Sequence, residues 1–159
     1  MEFKELLAAF AAKYGIDGFQ GADGAAELDV DGVRVELLDD PQARSLFACA
    51  EIGHPPPDAN GAFGSMMLQA NFLLRGTEGA TLCQNPETHA YALVRPFPLA
   101  LTDVEALAAG LESLANQTEN WRKALGGLRA AEAAQKQGVA SAPDGDSHHD
   151  MLSSGYFHV

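Results

Sequence analysis

The stretch Leu68-Gln69-Ala70-Asn71-Phe72-Leu73-Leu74 reads as the end of a helix that runs into Thr77-Glu78-Gly79-Ala80-Thr81-Leu82. A turn at Asn85-Pro86-Glu87-Thr88 follows, then a second strand, Ala90-Tyr91-Ala92-Leu93-Val94-Arg95. The two runs, residues 80–84 and 89–95, predict a hairpin that Pro96 and Pro98 end, because proline cannot donate to a strand ladder. Beyond Leu99, Thr102 or Asp103 caps a long helix with Val104, Leu107, Ala108, Leu111, Leu114, Trp121, Leu125 and Leu128 along one stripe. Trp121 continues the leucine stripe and is expected in the core, with Arg122 and Lys123 as solvated charge. These residues, 68–125, set a helix, a hairpin and a helix in fixed order.

Working outward, Phe3, Leu6, Leu7, Phe10 and Tyr14 recur at helical spacing and Gly15 closes a first amphipathic helix. The period then changes to two. Leu28, Val30, Val33, Val35 and Leu37 flank Asp31-Gly32, a pair suited to a two-residue hairpin turn. That turn sets Val30 opposite Val33, Leu28 opposite Val35, Asp29 opposite Arg34 and Glu27 opposite Glu36. Asp29 and Arg34 are expected to pair, and the two glutamates to repel unless a cation approaches. A third strand spans about residues 45–52, before the stiff His54-Pro55-Pro56-Pro57 loop. Asp58 is expected to cap a second helix that runs to about Arg75. Its Phe63, Met66, Met67, Leu68, Ala70, Phe72, Leu73 and Leu74 cover more than one face, and a helix apolar nearly all round is buried on two sides. In a chain this small the second side points to another subunit, and Gly61 and Gly64 fit a close backbone approach there. The order αβββαββα is that of an α+β domain with helices on an antiparallel sheet. A domain is expected over residues 1–137, with a polar flexible tail over 138–159.

Composition limits the function. The chain has 159 residues, 47% of them apolar, and a formal net charge of -12. So acidic a protein lacks the basic patches that nucleic acid or an anionic membrane requires. The acidic N-terminus and the absence of a long apolar run predict a cytoplasmic protein. Cys49 and Cys83 form no CxxC or Cys/His cluster and are expected as reduced thiols. Glu27-x-Asp29-x-Asp31-Gly32 imitates half a calcium loop, but Leu38 stands where the bidentate glutamate belongs, so the hairpin accounts for these residues better. His148-His149-Asp150 lies in the tail without surrounding support. No Gly-x-Ser-x-Gly elbow, phosphate loop or partnered His54 or His89 is readable, so the expectation is no enzyme, no cofactor and no metal.

Leu68-Gln69-Ala70-Asn71, Gly79-Ala80-Thr81-Leu82, Pro98-Leu99 and Trp121-Arg122, in this order and spacing, resemble the class I type III secretion chaperones of the Tir-chaperone (CesT-like) family. The resemblance covers about residues 2–128. Departures are the triple-proline loop, the long tail and Cys83-Gln84 in a strand where more apolar residues belong. What the resemblance implies is a small acidic homodimer in the bacterial cytoplasm. Such a protein binds the N-terminal region of a secreted effector in extended form and keeps it soluble and export-competent without nucleotide. It then passes the effector to the export apparatus, whose ATPase is a further candidate partner. By the same resemblance the second helix and the last hairpin form the dimer interface, with Phe63, Met66, Met67, Ala70 and Leu73 as candidates. The first helix and first three strands form the effector surface, with Phe3, Leu7, Phe10, Val33, Val35, Leu37 and Phe47 as candidates. Alternation alone does not separate core from client contact at those positions. A dimeric small-ligand-binding or regulatory α+β module is the alternative, and it requires an apolar pocket with convergent polar groups. The terminal Tyr156-Phe157 is apolar enough to cap a neighbouring subunit's groove.

Overall fold

The computed structural model describes residues 2–16, 23–54 and 61–140. The elements are α1 (Phe3–Tyr14), β1 (Ala25–Val30), β2 (Val33–Asp40), β3 (Ser45–Gly53), α2 (Ala62–Ala70), a 3-10 turn (Phe72–Leu74), β4 (Thr81–Gln84), β5 (Tyr91–Pro98) and α3 (Val104–Ala140). The five strands form one antiparallel sheet in the order β1-β2-β3-β5-β4. This is the αβββαββα order and the α+β class that the sequence predicts.

The first hairpin has the expected register, Val30↔Val33, Leu28↔Val35, Asp29↔Arg34 and Glu27↔Glu36. Asp31 and Gly32 both have positive φ, 52° and 83°, the conformation that matches the twist of the flanking strands. The ion pair differs from the expected one. Arg34 pairs with Glu27, relieving its repulsion from Glu36, while the Asp29 carboxylate accepts a hydrogen bond from the Gly32 N–H at 2.7 Å.

One sheet face carries Val33, Val35, Leu37, Leu46, Ala48, Ala50, Leu93 and Phe97, all buried. The helices cover it: Leu6 and Leu7 of α1 and Leu107, Leu111 and Leu114 of α3 are at most 1% exposed. Trp121 is in the core as expected, edge-on to Phe63, which also stacks on Tyr91. Gly110 lets α3 lie close on β5, since an added Cβ would sit 2.6 Å from Phe97 Cζ.

Three expectations about boundaries are corrected. Pro96 and Pro98 do not end the last hairpin: β5 runs through both, opposite Phe47 and Ser45 of β3. The Leu99 N–H bonds to the Arg44 carbonyl, so alternate residues 97, 95 and 93 face β3 and both prolines face the side where β4 has already stopped. No ladder bond is lost. The second helix stops at Ala70 rather than Arg75, because Leu73 and Leu74 take positive φ, 56° and 53°. The last helix is described to Ala140, beyond the start expected for the polar tail. Asp58, the triple proline and residues 141–159, with their histidines and Tyr156-Phe157, lie outside the described residues.

Candidate interaction surfaces

Six of the seven residues expected to face a client are placed in the core instead. Phe3, Leu7, Phe10, Val33, Val35 and Leu37 are each at most 5% exposed, under α1 and α3. The alternation of Val33, Val35 and Leu37 marks the covered face of the sheet, and Phe3, Leu7 and Phe10 line the side of α1 that packs into the same core. Phe47 alone is half-buried on the opposite, open face, in a row with Leu38 of β2 and Pro96 of β5. Across that face Ala25, Leu38, Phe47 and Pro96 stand in register.

Of the five interface candidates, Phe63 and Met67 point into this chain's own core, Met66 and Ala70 pack partly against it, and Leu73 is 63% exposed. The outward apolar surface is therefore carried by Leu68, Phe72, Leu73 and Leu74. Leu68 and Phe72 are about three-quarters exposed. The sequence shows a helix apolar on too many sides; inward packing of Phe63 and Met67 leaves Leu68 on the outer side of α2, and Phe72, Leu73 and Leu74 follow beyond the break after Ala70. An added Cβ at Gly64 would meet nothing within 4 Å in this chain, so the close approach suggested for it is not an internal one. Two successive leucines held at positive φ, with their side chains in water, are costly in an isolated subunit.

The two ends of the sheet differ. β4 is one edge, and the outward backbone groups of Leu82, like those of Ala80 just before the strand, are already occupied. The Asn71 side-chain amide donates to the Leu82 carbonyl at 3.0 Å and its oxygen accepts from the Leu82 N–H at 2.9 Å. Thr77 does the same next door: its carbonyl accepts from the Ala80 N–H at 3.1 Å, and its hydroxyl donates to the Ala80 carbonyl. Thr77 is 1% exposed. At Leu82 and Ala80, Asn71 and Thr77 close this edge as a neighbouring strand would.

β1 is the other edge. The Gly24 carbonyl accepts from the Asp39 N–H, which sets the alternation: Gly24, Ala26, Leu28 and Val30 bond to β2, and Ala25, Glu27 and Asp29 turn their backbone groups outward. Among the described residues nothing pairs with those outward groups. Leu28 and Val30 are only half-buried because the sheet ends beside them.

The open face also holds a concavity of about 500 Å³ lined by Glu27, Arg34, Glu36, Cys49, Glu51, Asn85, Thr88, Ala90, Ala92 and Arg122. Arg122 is more than solvated charge. Its Nε and Nη2 donate to the Glu51 carbonyl at 3.1 and 2.7 Å, where β3 shifts register against β5. Cys49 and Cys83 are both half-buried free thiols. Burial, reinforced by the nearby Cys83, Glu36 and Glu51, pushes Cys49 up to about 11, and burial also raises Cys83. Neither is an activated nucleophile. No group of three or more metal-ligating side chains is assembled among the described residues, and no helix there is long and apolar enough to cross a membrane.

The Tir chaperone protein (CesT) family model matches residues 5–122. Several solved structures share the fold. The ExsC–ExsE complex aligns with a TM-score of 0.66 at 20% identity, covering 79% of this chain and 97% of that one. The HopA1–SchA chaperone–effector complex aligns at 0.64 and 20% identity, covering 76% and 93%. The Yersinia pestis type III secretion chaperone SycH, solved with a fragment of YscM2, aligns at 0.61 and 18% identity, covering 74% and 98%. At these identities the likeness is one of fold. No curated protein sequence matches the chain. The family match runs from the first helix to Arg122 and takes in the strand-closing Asn71 and Thr77, and on it the chain belongs to the Tir chaperone (CesT) family.

Proposed function

We propose that this protein is a type III secretion chaperone that holds the N-terminal region of a secreted effector in extended form. It acts as a homodimer in the bacterial cytoplasm, keeps its client soluble and export-competent without nucleotide, and passes it to the export apparatus and its ATPase. Membership of a chaperone family over residues 5–122 carries this reading. The surfaces fit it. An open strand edge at β1 offers main-chain hydrogen bonds to an extended segment. The exposed Leu68, Phe72, Leu73 and Leu74 offer a second copy a desolvated contact, supported from beneath by Phe63 and Met67. The role is non-enzymatic. Burying a wrapped segment at roughly 25 cal/mol per Å² of apolar area offsets the entropy of ordering it.

The test is co-expression with a candidate effector encoded beside this chain, followed by light scattering and limited proteolysis. A complex of two chaperone chains with one effector, in which only the effector's N-terminal region resists protease, is the expected result. An effector that stays uncomplexed, or a complex that forms only with ATP, would contradict the proposal.

A further inference from the structure

We infer that the client strand taken up at β1 alternates apolar with basic side chains, and that Glu27 and Asp29 read the basic ones. This rests on the chaperone reading and adds to it the chemistry of the client. The two edges of the sheet are not equivalent: Asn71 and Thr77 occupy the backbone groups of Leu82 and Ala80, while Ala25, Glu27 and Asp29 keep theirs turned outward. A strand laid against β1 continues the pleat. Its residues opposite Leu28 and Val30 join the covered face and complete the burial of two half-buried apolar side chains. Its intervening residues, opposite Glu27 and Asp29, join the open face.

That face is strongly acidic at this edge. Of the seven carboxylates in residues 23–40, Glu27, Asp29, Glu36 and Asp40 stand on that face with one cation, Arg34, and the segment as a whole carries half of the chain's formal net charge of -12. Arg34 is spent on Glu27, and Glu36, directly across from Glu27, has no ion-pair partner among the described residues. A lysine or arginine set opposite Glu27 meets an excess of negative charge, and a glutamate there adds to an existing repulsion. The same acidity keeps the edges of two folded copies apart, as charged edges do in other sheets.

The test uses the full chain and three fluorescein-labelled peptides of one length, in which valine alternates with lysine, glutamine or glutamate. The lysine peptide is expected to bind about tenfold more tightly than the glutamine peptide in low salt, and the gap to close as the Debye length falls to about 3 Å near 1 M salt. Glu27→Lys with Glu36→Lys is expected to invert the preference towards the glutamate peptide. Glu87→Lys with Glu112→Lys, the same change of net charge elsewhere, is expected to leave it unchanged. Equal binding of lysine and glutamine peptides would overturn the charge code while leaving the strand edge standing. Equal effects of the two double variants would reduce it to the overall charge of the molecule. Failure of all three peptides to bind would overturn edge addition itself, a result separable from the chaperone reading because co-expression with an effector tests that independently.

Discussion

Arg122 holds the Glu51 carbonyl through two nitrogens at the point where β3 slips register against β5. Arg122→Ala leaves that carbonyl to water at a bulge, and denaturant unfolding is expected to report a loss of about 1–2 kcal/mol. Arg122→Lys recovers only part, because one ammonium does not reproduce the planar fork. At Gly110 the fault is overpacking rather than a lost bond. An alanine there strikes Phe97, with an expected cost of about 1–3 kcal/mol in the same measurement. Cys49 supplies a pH signature. Its thiol sits at about 11 against an ordinary value of 9.0, so the folded state holds the proton more firmly than the unfolded chain does. The contribution is therefore complete below pH 9 and declines as pH rises from about 9 to about 11. Cys49→Ala is expected to flatten that decline in unfolding curves measured across this range, and in the native protein iodoacetamide is expected to label Cys49 slowly at pH 8.

Among the elements, α2 and the 3-10 turn behind it make the sharpest prediction about assembly. Phe72→Glu and Leu68→Glu place charge on side chains that are 73% and 74% exposed in one subunit, so folding should be untouched while light scattering shifts from dimer to monomer. An unchanged mass for both variants would remove this face from the interface. The edge clasp predicts a different failure. Asn71→Ala with Thr77→Val frees the Leu82 backbone and the Ala80 carbonyl on β4, and an unguarded edge recruits other strands. Soluble oligomers larger than a dimer are expected on gel filtration. The same elements show what a sequence can and cannot disclose. The Asp31-Gly32 turn dictates its register through backbone chemistry that two residues carry by themselves, so the first hairpin was readable. Pro96 and Pro98 read locally as a stop because nothing in that stretch says that β4 begins only at Thr81, opposite Val94, and leaves their side of β5 empty. Val33, Val35 and Leu37 suit a client face as well as a core in the sequence, because alternation reveals that a sheet has two faces but not which one the helices cover. Leu68 and Phe72 are visible in the sequence as surplus apolar residues, yet only the packing of Phe63 and Met67 into the core sets Leu68 on the outer side of α2, and Phe72 follows beyond the break after Ala70.

At the scale of the whole molecule, the described residues form a sheet with one face covered by helices, one edge clasped by Asn71 and Thr77, and one edge open. The covered face supplies the core, the sealed edge lies beside the exposed patch of α2, and the open edge stands at the acidic hairpin on the far side. Client and subunit contacts at opposite ends of one sheet would not compete for the same backbone. A homodimer through α2 would leave both β1 edges free, giving one extended client two sites to cross. Hydrogen exchange read by mass spectrometry, on the protein alone and with the N-terminal region of a co-expressed effector, tests this most directly. The account predicts new protection at the amides of Ala25, Glu27 and Asp29, with those of Leu82 and Ala80 already slow and unchanged. Protection gained along β4 with none along β1 would contradict it.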